Sequence, residues 1–369
     1  MFFKLATQAD PKFTVQQRLA DNLWLNLDSG WRVFNQGTTK IVAKGYANDR
    51  SLQDAVTSTE PTALRGNFCA FLINADKVTI THDTDRSFPI WLGDDTVTNL
   101  EPLGESVWAD CMLTVARNFV VSKHYRNTFV SPTSELSDSV IVDKVHDILL
   151  ETFDNFLTNN NLPLKMFVTG GMDTTMAWAY LDHFTKNYEM VDYEYLKFTP
   201  FWRRNFSKLK QFWGYKQTHL WSEDCVLVSG AMGDENFMRG PYTMEMMLKA
   251  HGTSLFDILK PEDYHWKHCQ GYFKKGLDVG SIDPDINKVR EQVMNRNSND
   301  HQHWHIEETI HFTPFKDSRI LSLITMSSKD QLVLQARDAH INRLLIEKLD
   351  PDKLKKISAY KNHDSMENL

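Results

Sequence analysis

Met166-Phe-Val-Thr-Gly-Gly-Met-Asp-Thr-Thr175 decides the fold of this chain. An apolar run ends in a hydroxyl, two glycines, an acid and more hydroxyls, and a helical pattern follows through Met176, Trp178, Ala179 and Tyr180. This reads as a buried strand feeding a helix through a turn that exposes backbone N–H groups. Such a turn, at the positive end of a helix, suits an anion such as phosphate. Gly170 and Gly171 let the backbone approach the oxygens closely, and Thr169 and Thr174 add hydroxyl donors. Asp173 repels phosphate unless a cation lies between them, so a magnesium-bound polyphosphate is the expected guest.

Downstream, Val226-Leu-Val-Ser-Gly-Ala-Met-Gly-Asp-Glu235 is a second apolar strand opening into a Gly- and acid-rich turn. Asp234 is a second carboxylate just beyond a strand end, and two acids from neighbouring strand ends can share one Mg²⁺ on a triphosphate. Farther on, His311-Phe-Thr-Pro-Phe-Lys-Asp-Ser-Arg319 precedes an amphipathic helix carrying Ile320, Leu321, Leu323 and Ile324. Upstream, Ile141, Val145, Ile148, Leu149, Phe153 and Phe156 fall on one stripe of a helix expected over Asp138–Leu157. An Asn-rich turn then delivers the chain into the strand at Phe167. From there strands and helices alternate, as in an open α/β sheet with its ligand at the strand carboxyl ends.

Before this region the pattern is β. Alternating runs such as Thr39-Lys-Ile-Val-Ala43 and Asn67-Phe-Cys-Ala-Phe-Leu-Ile73 are separated by Asn, Asp and Gly turns. The polar segment Ser131-Pro-Thr-Ser134 marks the expected boundary, giving one domain over residues 1–130 and a second over residues 131–369. A net charge of −7 argues against whole-surface nucleic-acid binding. No long uncharged apolar run suggests a membrane span, and Met1-Phe-Phe-Lys-Leu-Ala6 lacks a signal-peptide core. Cys69, Cys111, Cys225 and Cys269 form no C-x-x-C pair and read as buried free thiols in a reducing cytoplasm, with no zinc site implied.

A Walker loop is excluded because no Lys follows Gly171 in the required register, and G-x-G-x-x-G is absent. The first turn resembles instead the S-G-G-x-D-[ST] signature of the PP-loop ATP pyrophosphatases, with Thr169 in place of Ser. The three segments Thr169–Thr174, Ser229–Glu235 and Thr313–Asp317 together resemble, in order, the S-G-G-x-D-S, S-G-x-x-x-D-E and R-x-P-[FY]-x-D motifs of the asparagine synthetase family. The closing Leu349-Asp-Pro and Ile357-Ser-Ala-Tyr-Lys-Asn362 are similar to that family's late P-x-x-[IL]-x-x-R-x-K stretch. Leu64-Arg-Gly-Asn-Phe-Cys-Ala-Phe71 and Asp83-Thr-Asp-Arg-Ser-Phe-Pro89 resemble segments of its N-terminal glutamine-hydrolysing domain. The resemblance covers nearly the whole chain, and compact chains of this kind resemble those encoded by bacteriophages. It implies an Ntn-like (N-terminal-nucleophile) β-sandwich followed by a PP-loop α/β domain with a parallel sheet of the adenine nucleotide alpha hydrolase type.

That resemblance implies a ligase that adenylates a small-molecule carboxylate with ATP and Mg²⁺, releases pyrophosphate, and passes the acyl group to an amine or ammonia. Thr169, Gly170, Gly171, Thr174, Ser229 and Gly230 would hold the phosphates, Asp173 and Asp234 the metal, and Glu235 would help position Asp234. Asp317 would orient substrate or fix the late loop. Three departures stand out. The family's glutaminase uses an N-terminal Cys, whereas this chain opens Met1-Phe2-Phe3, so no glutamine hydrolysis is expected. Ala231 stands where the family carries Glu or Tyr, and no Lys occupies the family's place in the late helix around Ala339–Arg343. Lys329, His340 and Lys361 are the candidates to replace that lysine.

Two further segments carry alternatives. His301-Gln-His-Trp-His305 with Glu308 and His311 has spacings that suit a metal, but a polar loop or substrate rim is the plainer reading. Phe201–Lys216 is basic and aromatic enough to stack bases and contact phosphates of a nucleic acid. An amphipathic helix with Phe206, Leu209 and Phe212 in the core is favoured over that. A nucleobase as the adenylated group, and a non-catalytic ATP-binding module, are the remaining alternatives. Homo-oligomer formation stays open.

Overall fold

The computed structural model describes residues 3–28, 31–36, 39–47, 66–82, 90–98, 105–107, 111–125, 135–158, 160–191, 225–230, 233–275, 277–300, 310–315 and 317–357. The chain divides into two compact units, the first holding Met1–Thr128 and the second the parallel sheet and its helices.

In the first unit the described strands form two six-stranded sheets. One runs in the order Glu105–Ser106, Trp91–Leu92, Thr96–Thr98, Phe3–Ala6, Leu23–Leu27 and Val15–Ala20. The other runs Val121–Tyr125, Cys111–Ala116, Lys77–His82, Gly66–Ile73, Thr39–Ala47 and Arg32–Gln36. The pairings are antiparallel, Phe3 opposite Leu27 and Val42 opposite Phe71, for example. Period-2 alternation explains the core: Leu23, Leu25 and Leu27 from one sheet meet Phe71, Val78, Ile80, Leu113 and Val115 from the other. Phe3 and Phe71 lie edge-to-face across it with ring centroids 4.8 Å apart. The Gly66–Ile73 and Thr39–Ala47 strands also bury their opposite face, where Ile41, Ala43, Phe68, Ala70 and Leu72 cluster.

In the second unit the described strands form a four-stranded parallel sheet, ordered Glu189–Val191, Leu164–Phe167, Val226–Val228 and Ile310–Phe312. The long helix Asp138–Thr158 buries Ile141, Val145, Ile148, Leu149, Phe153 and Phe156, the stripe expected from its periodicity, together with Val142. Its Phe156 stacks on Phe312 of the sheet, centroids 3.8 Å apart. Among the described strands, chain order reverses at Leu164–Phe167: the next one lies on one side of it and the one after on the other. That is a topological switch point, where open α/β sheets form a crevice beyond the strand carboxyl ends. The four cysteines are free and buried, as expected. Among the described residues no helix is long and apolar enough to cross a membrane.

Candidate functional site at the strand carboxyl ends

Three of the parallel strands are immediate neighbours, and each is followed at its carboxyl end by one of the three motif segments. The Ser229 N–H donates to the Phe312 carbonyl at 3.1 Å, and the Asn236 side chain donates to the Phe315 carbonyl, which join the second segment to the third. The first and second meet more tightly. A Cβ at Gly230 would lie within 3.0 Å of the backbone of Asp173 and Thr174, and one at Gly233 within 3.0 Å of the Asp173 carboxyl. Glycine is needed at both for the loops to touch.

The first loop turns through Gly170, whose φ of 75° is left-handed, into the Met172–Phe184 helix capped by Gly171. Val168 to Gly171 are half-buried, so the loop faces partly open space. The threonines stiffen it. Thr169 and Thr174 hydroxyls lie 3.0 Å apart, the Thr169 N–H points at the Thr174 hydroxyl (3.3 Å), and the Gly171 N–H at the Thr169 hydroxyl (3.2 Å). The Met172 N–H donates to the Tyr264 hydroxyl at 3.0 Å. Loop donors at these three positions are thus satisfied within the protein: threonine side chains reach back to their own turn at Thr169 and Gly171, and Tyr264 serves Met172.

A side-chain cation already stands at the pair of acids expected to hold the metal. Asp173 and Asp234 both contact the same guanidinium nitrogen, Nη2 of Arg239, the Asp234 oxygen at 2.8 Å. Nη2 stands between the two carboxylates, in the position assigned above to Mg²⁺. Among the described residues no group of three His, Cys, Asp or Glu could hold a metal ion. As these side chains stand, the pair does not fit a divalent ion unless Arg239 leaves.

Arg239 is held from behind. Its Nη1 lies 2.9 Å from His265 Nε2, and His265 Nδ1 lies 2.9 Å from the Ala336 carbonyl. A carbonyl only accepts, so Nδ1 carries the proton and Nε2 accepts from the guanidinium; the imidazole is neutral. On the other side, Asn342 Nδ2 approaches Asp173 at 3.5 Å, while its Oδ1 accepts from Gln335 Nε2 at 2.8 Å. Gln335 Nε2 also donates to the Phe237 carbonyl, and its Oε1 accepts from the Ile341 N–H. Arg239, His265, Gln335 and Asn342 are all buried. Burial pushes the Asp173 carboxyl up, Arg239 opposes the rise, and Asp234 and Glu235 add to it. Glu235 is likewise raised, by burial first and by the Asp234 charge second. Both shifts favour the protonated acids, which relieves the excess of carboxyl groups over the single guanidinium.

The remaining expected site residues fall as follows. Thr169, Gly170, Gly171, Asp173, Thr174, Ser229, Gly230, Asp234 and Glu235 belong to the two touching loops. Asp317 caps the Ser318–Ile324 helix and grips Arg319 at 2.7 Å, with Arg319 also reaching Glu151 at 2.9 Å, so it fixes the late loop. His340 pairs with Asp138 at 2.9 Å; Asn342 is the residue of that helix that reaches Asp173. Lys361, Ala231, the basic segment 201–216 and the histidines of 301–309 lie outside the described residues. Arg239, Tyr264, His265, Gln335 and Asn342 were not singled out from the sequence, and nothing local in the run Asp234–Arg239 marks that Arg as buried.

No family model and no curated protein matches this chain. Solved structures that it resembles include one described as the allosteric regulatory enzyme of purine biosynthesis, 7% identical, over 45% of this chain and 54% of that one, with a TM-score of 0.23. Another is the glutamine phosphoribosylpyrophosphate amidotransferase from B. subtilis complexed with ADP and GMP, 7% identical, over 40% of this chain and 46% of the other, with a TM-score of 0.22. The matches span about half the length of those proteins. Similarity at that level defines neither a fold nor an activity.

Proposed function

We propose that the chain is an ATP-dependent carbon–nitrogen ligase of the asparagine synthetase type, with an Ntn glutaminase-like first domain (residues 1–130) and a PP-loop domain (residues 131–369). The observation that supports it most is the meeting of three motif segments at the carboxyl ends of three adjacent parallel strands, at the switch point of the sheet. Phosphates of ATP would enter over the half-buried Val168–Gly171 turn, at the N-terminus of the Met172–Phe184 helix. Thr169, Gly170, Gly171, Thr174, Ser229 and Gly230 form that floor.

In the reaction a carboxylate oxygen of the substrate attacks the α-phosphorus. The bond from that phosphorus to the bridging oxygen breaks, giving an acyl-adenylate and pyrophosphate. An amine or ammonia then attacks the acyl carbon, AMP leaves with the bonding pair, and the amine proton passes to a base. Adenylation asks of the protein mainly positioning and charge stabilisation. Mg²⁺ enters with ATP as its counter-ion. His340, whose Nε2 pairs with Asp138, is the candidate for that base. The test is pyrophosphate release from Mg-ATP across a panel of carboxylates, amines, nucleotides and RNA. Release that needs a carboxylate and disappears in Asp173→Ala is the expected result; release driven only by RNA, or none with any acceptor, contradicts the ligase.

A second reading is an ATP-binding module without turnover. It is favoured by the loop N–H groups already satisfied within the protein and by Arg239 between the two acids. ATP bound tightly with no pyrophosphate released from any mixture would establish it.

A further inference from the structure

Two carboxylates from loops that follow different strands converge on one nitrogen of one side chain, and that side chain is itself built in. Arg239 follows Met238, a non-glycine residue in the left-handed region (φ 55°), and both the Arg239 and Gly240 N–H groups close back onto the Asp234 carbonyl. This turn aims the guanidinium from the second loop at Asp173 of the first. His265 and the Ala336 carbonyl fix its far side. The side chain is 1% exposed.

We infer that Arg239 is the resident cation of the Asp173–Asp234 pair, clamping the two loops together where a bridging divalent ion would otherwise be needed. The inference concerns the protein without nucleotide and holds whether or not ATP is the substrate. A guanidinium keeps its charge at every working pH, and its planar fork serves two carboxylates and an imidazole at once. A divalent ion entering the same place must expel it, which leaves a buried charge beside neutral His265. The acid pair therefore does not take up metal while Arg239 is present. Removing the guanidinium leaves two facing carboxylates with nothing between them, and those then accept a divalent ion.

The experiment titrates Mn²⁺ into the full chain and follows free Mn²⁺ by electron paramagnetic resonance. Wild type and Asp173→Asn are expected to give the same curve. Arg239→Gln is expected to gain a Mn²⁺ site that Asp173→Asn, added to it, removes. Arg239→Lys keeps a cation and is expected to gain none. Mn²⁺ taken up by wild type and lost in Asp173→Asn overturns the inference, and so does a folded Arg239→Gln that gains no site. Should Arg239→Gln fold only when Mn²⁺ is present, the inference is supported; should it not fold at all, the wild-type and Asp173→Asn comparison decides.

Discussion

The two units bury their centres by opposite means. Between the sheets of the first lies an apolar layer of Phe3, Leu5, Leu25, Phe71, Ile80 and Leu113, with backbone polar groups satisfied by the antiparallel ladders. Its ion pairs, such as Lys44 with Asp28, keep partial contact with solvent. Beyond the sheet of the second unit lies a polar centre in which Asp173, Arg239, His265, Gln335 and Asn342 each depend on a named partner. An apolar layer asks chiefly for volume, so conservative exchanges are absorbed. A buried polar network asks for identity, because a lost partner leaves a desolvated group behind. The contrast separates a centre that absorbs conservative exchanges from one that does not.

The contrast can be broken most severely at Gly230. Gly230→Ala sets a methyl against the backbone of Asp173 and Thr174, which cannot yield. A loss of roughly 4 kcal/mol or more is expected for the second unit in urea denaturation, with the first unit's transition unchanged. A mild effect would mean that the two loops do not touch.

Next in size is Lys353, whose ammonium contacts Asp182 and Asp350 while lying over Trp178. Burial pushes the Asp182 carboxyl up, but hydrogen bonds from Lys353, Tyr188 and Lys186 outweigh it and leave the group below its ordinary value. A depressed carboxyl stabilises above its unfolded pKa, and that contribution fades as pH falls through the folded value. Lys353→Met is therefore expected to cost roughly 3 kcal/mol at neutral pH, and its difference from wild type should shrink below about pH 4. A difference that grows on acidification would contradict this.

Within the polar centre, Asn342→Leu is expected to cost about 2 kcal/mol, since Gln335 and Asp173 both lose a partner. Ile80→Val in the apolar layer is expected to cost about 1 kcal/mol. Thermal denaturation of the two variants side by side sharpens the comparison, and equal or inverted effects would undo it.

Much of the second unit was legible because periodicity and glycine placement are local signals. The apolar stripe of Asp138–Thr158 and the strand-to-glycine turns after Phe167 and Val228 were readable in sequence, as were the acids that follow them. What stayed hidden depends on contacts distant in sequence. Nothing local distinguishes an Arg on the surface from Arg239 lodged between Asp173 and Asp234. In sequence Asp317 reads equally as orienting substrate or as fixing the late loop, and only the structure shows that it accepts from the Arg319 N–H (2.9 Å) as a helix cap. His340 and Asn342 lie on one helix, and only the packing decides that Asn342 meets Asp173. The threonine hydroxyls were read as donors for a ligand, yet they bind their own turn.

The most direct test of the account is amide hydrogen exchange in the presence and absence of ATP. Slower exchange with ATP at residues 168–175 and 229–235 is the expected result, since those two loops are the proposed phosphate floor. Unchanged exchange in both loops at saturating ATP, or protection confined to the first unit, would contradict it.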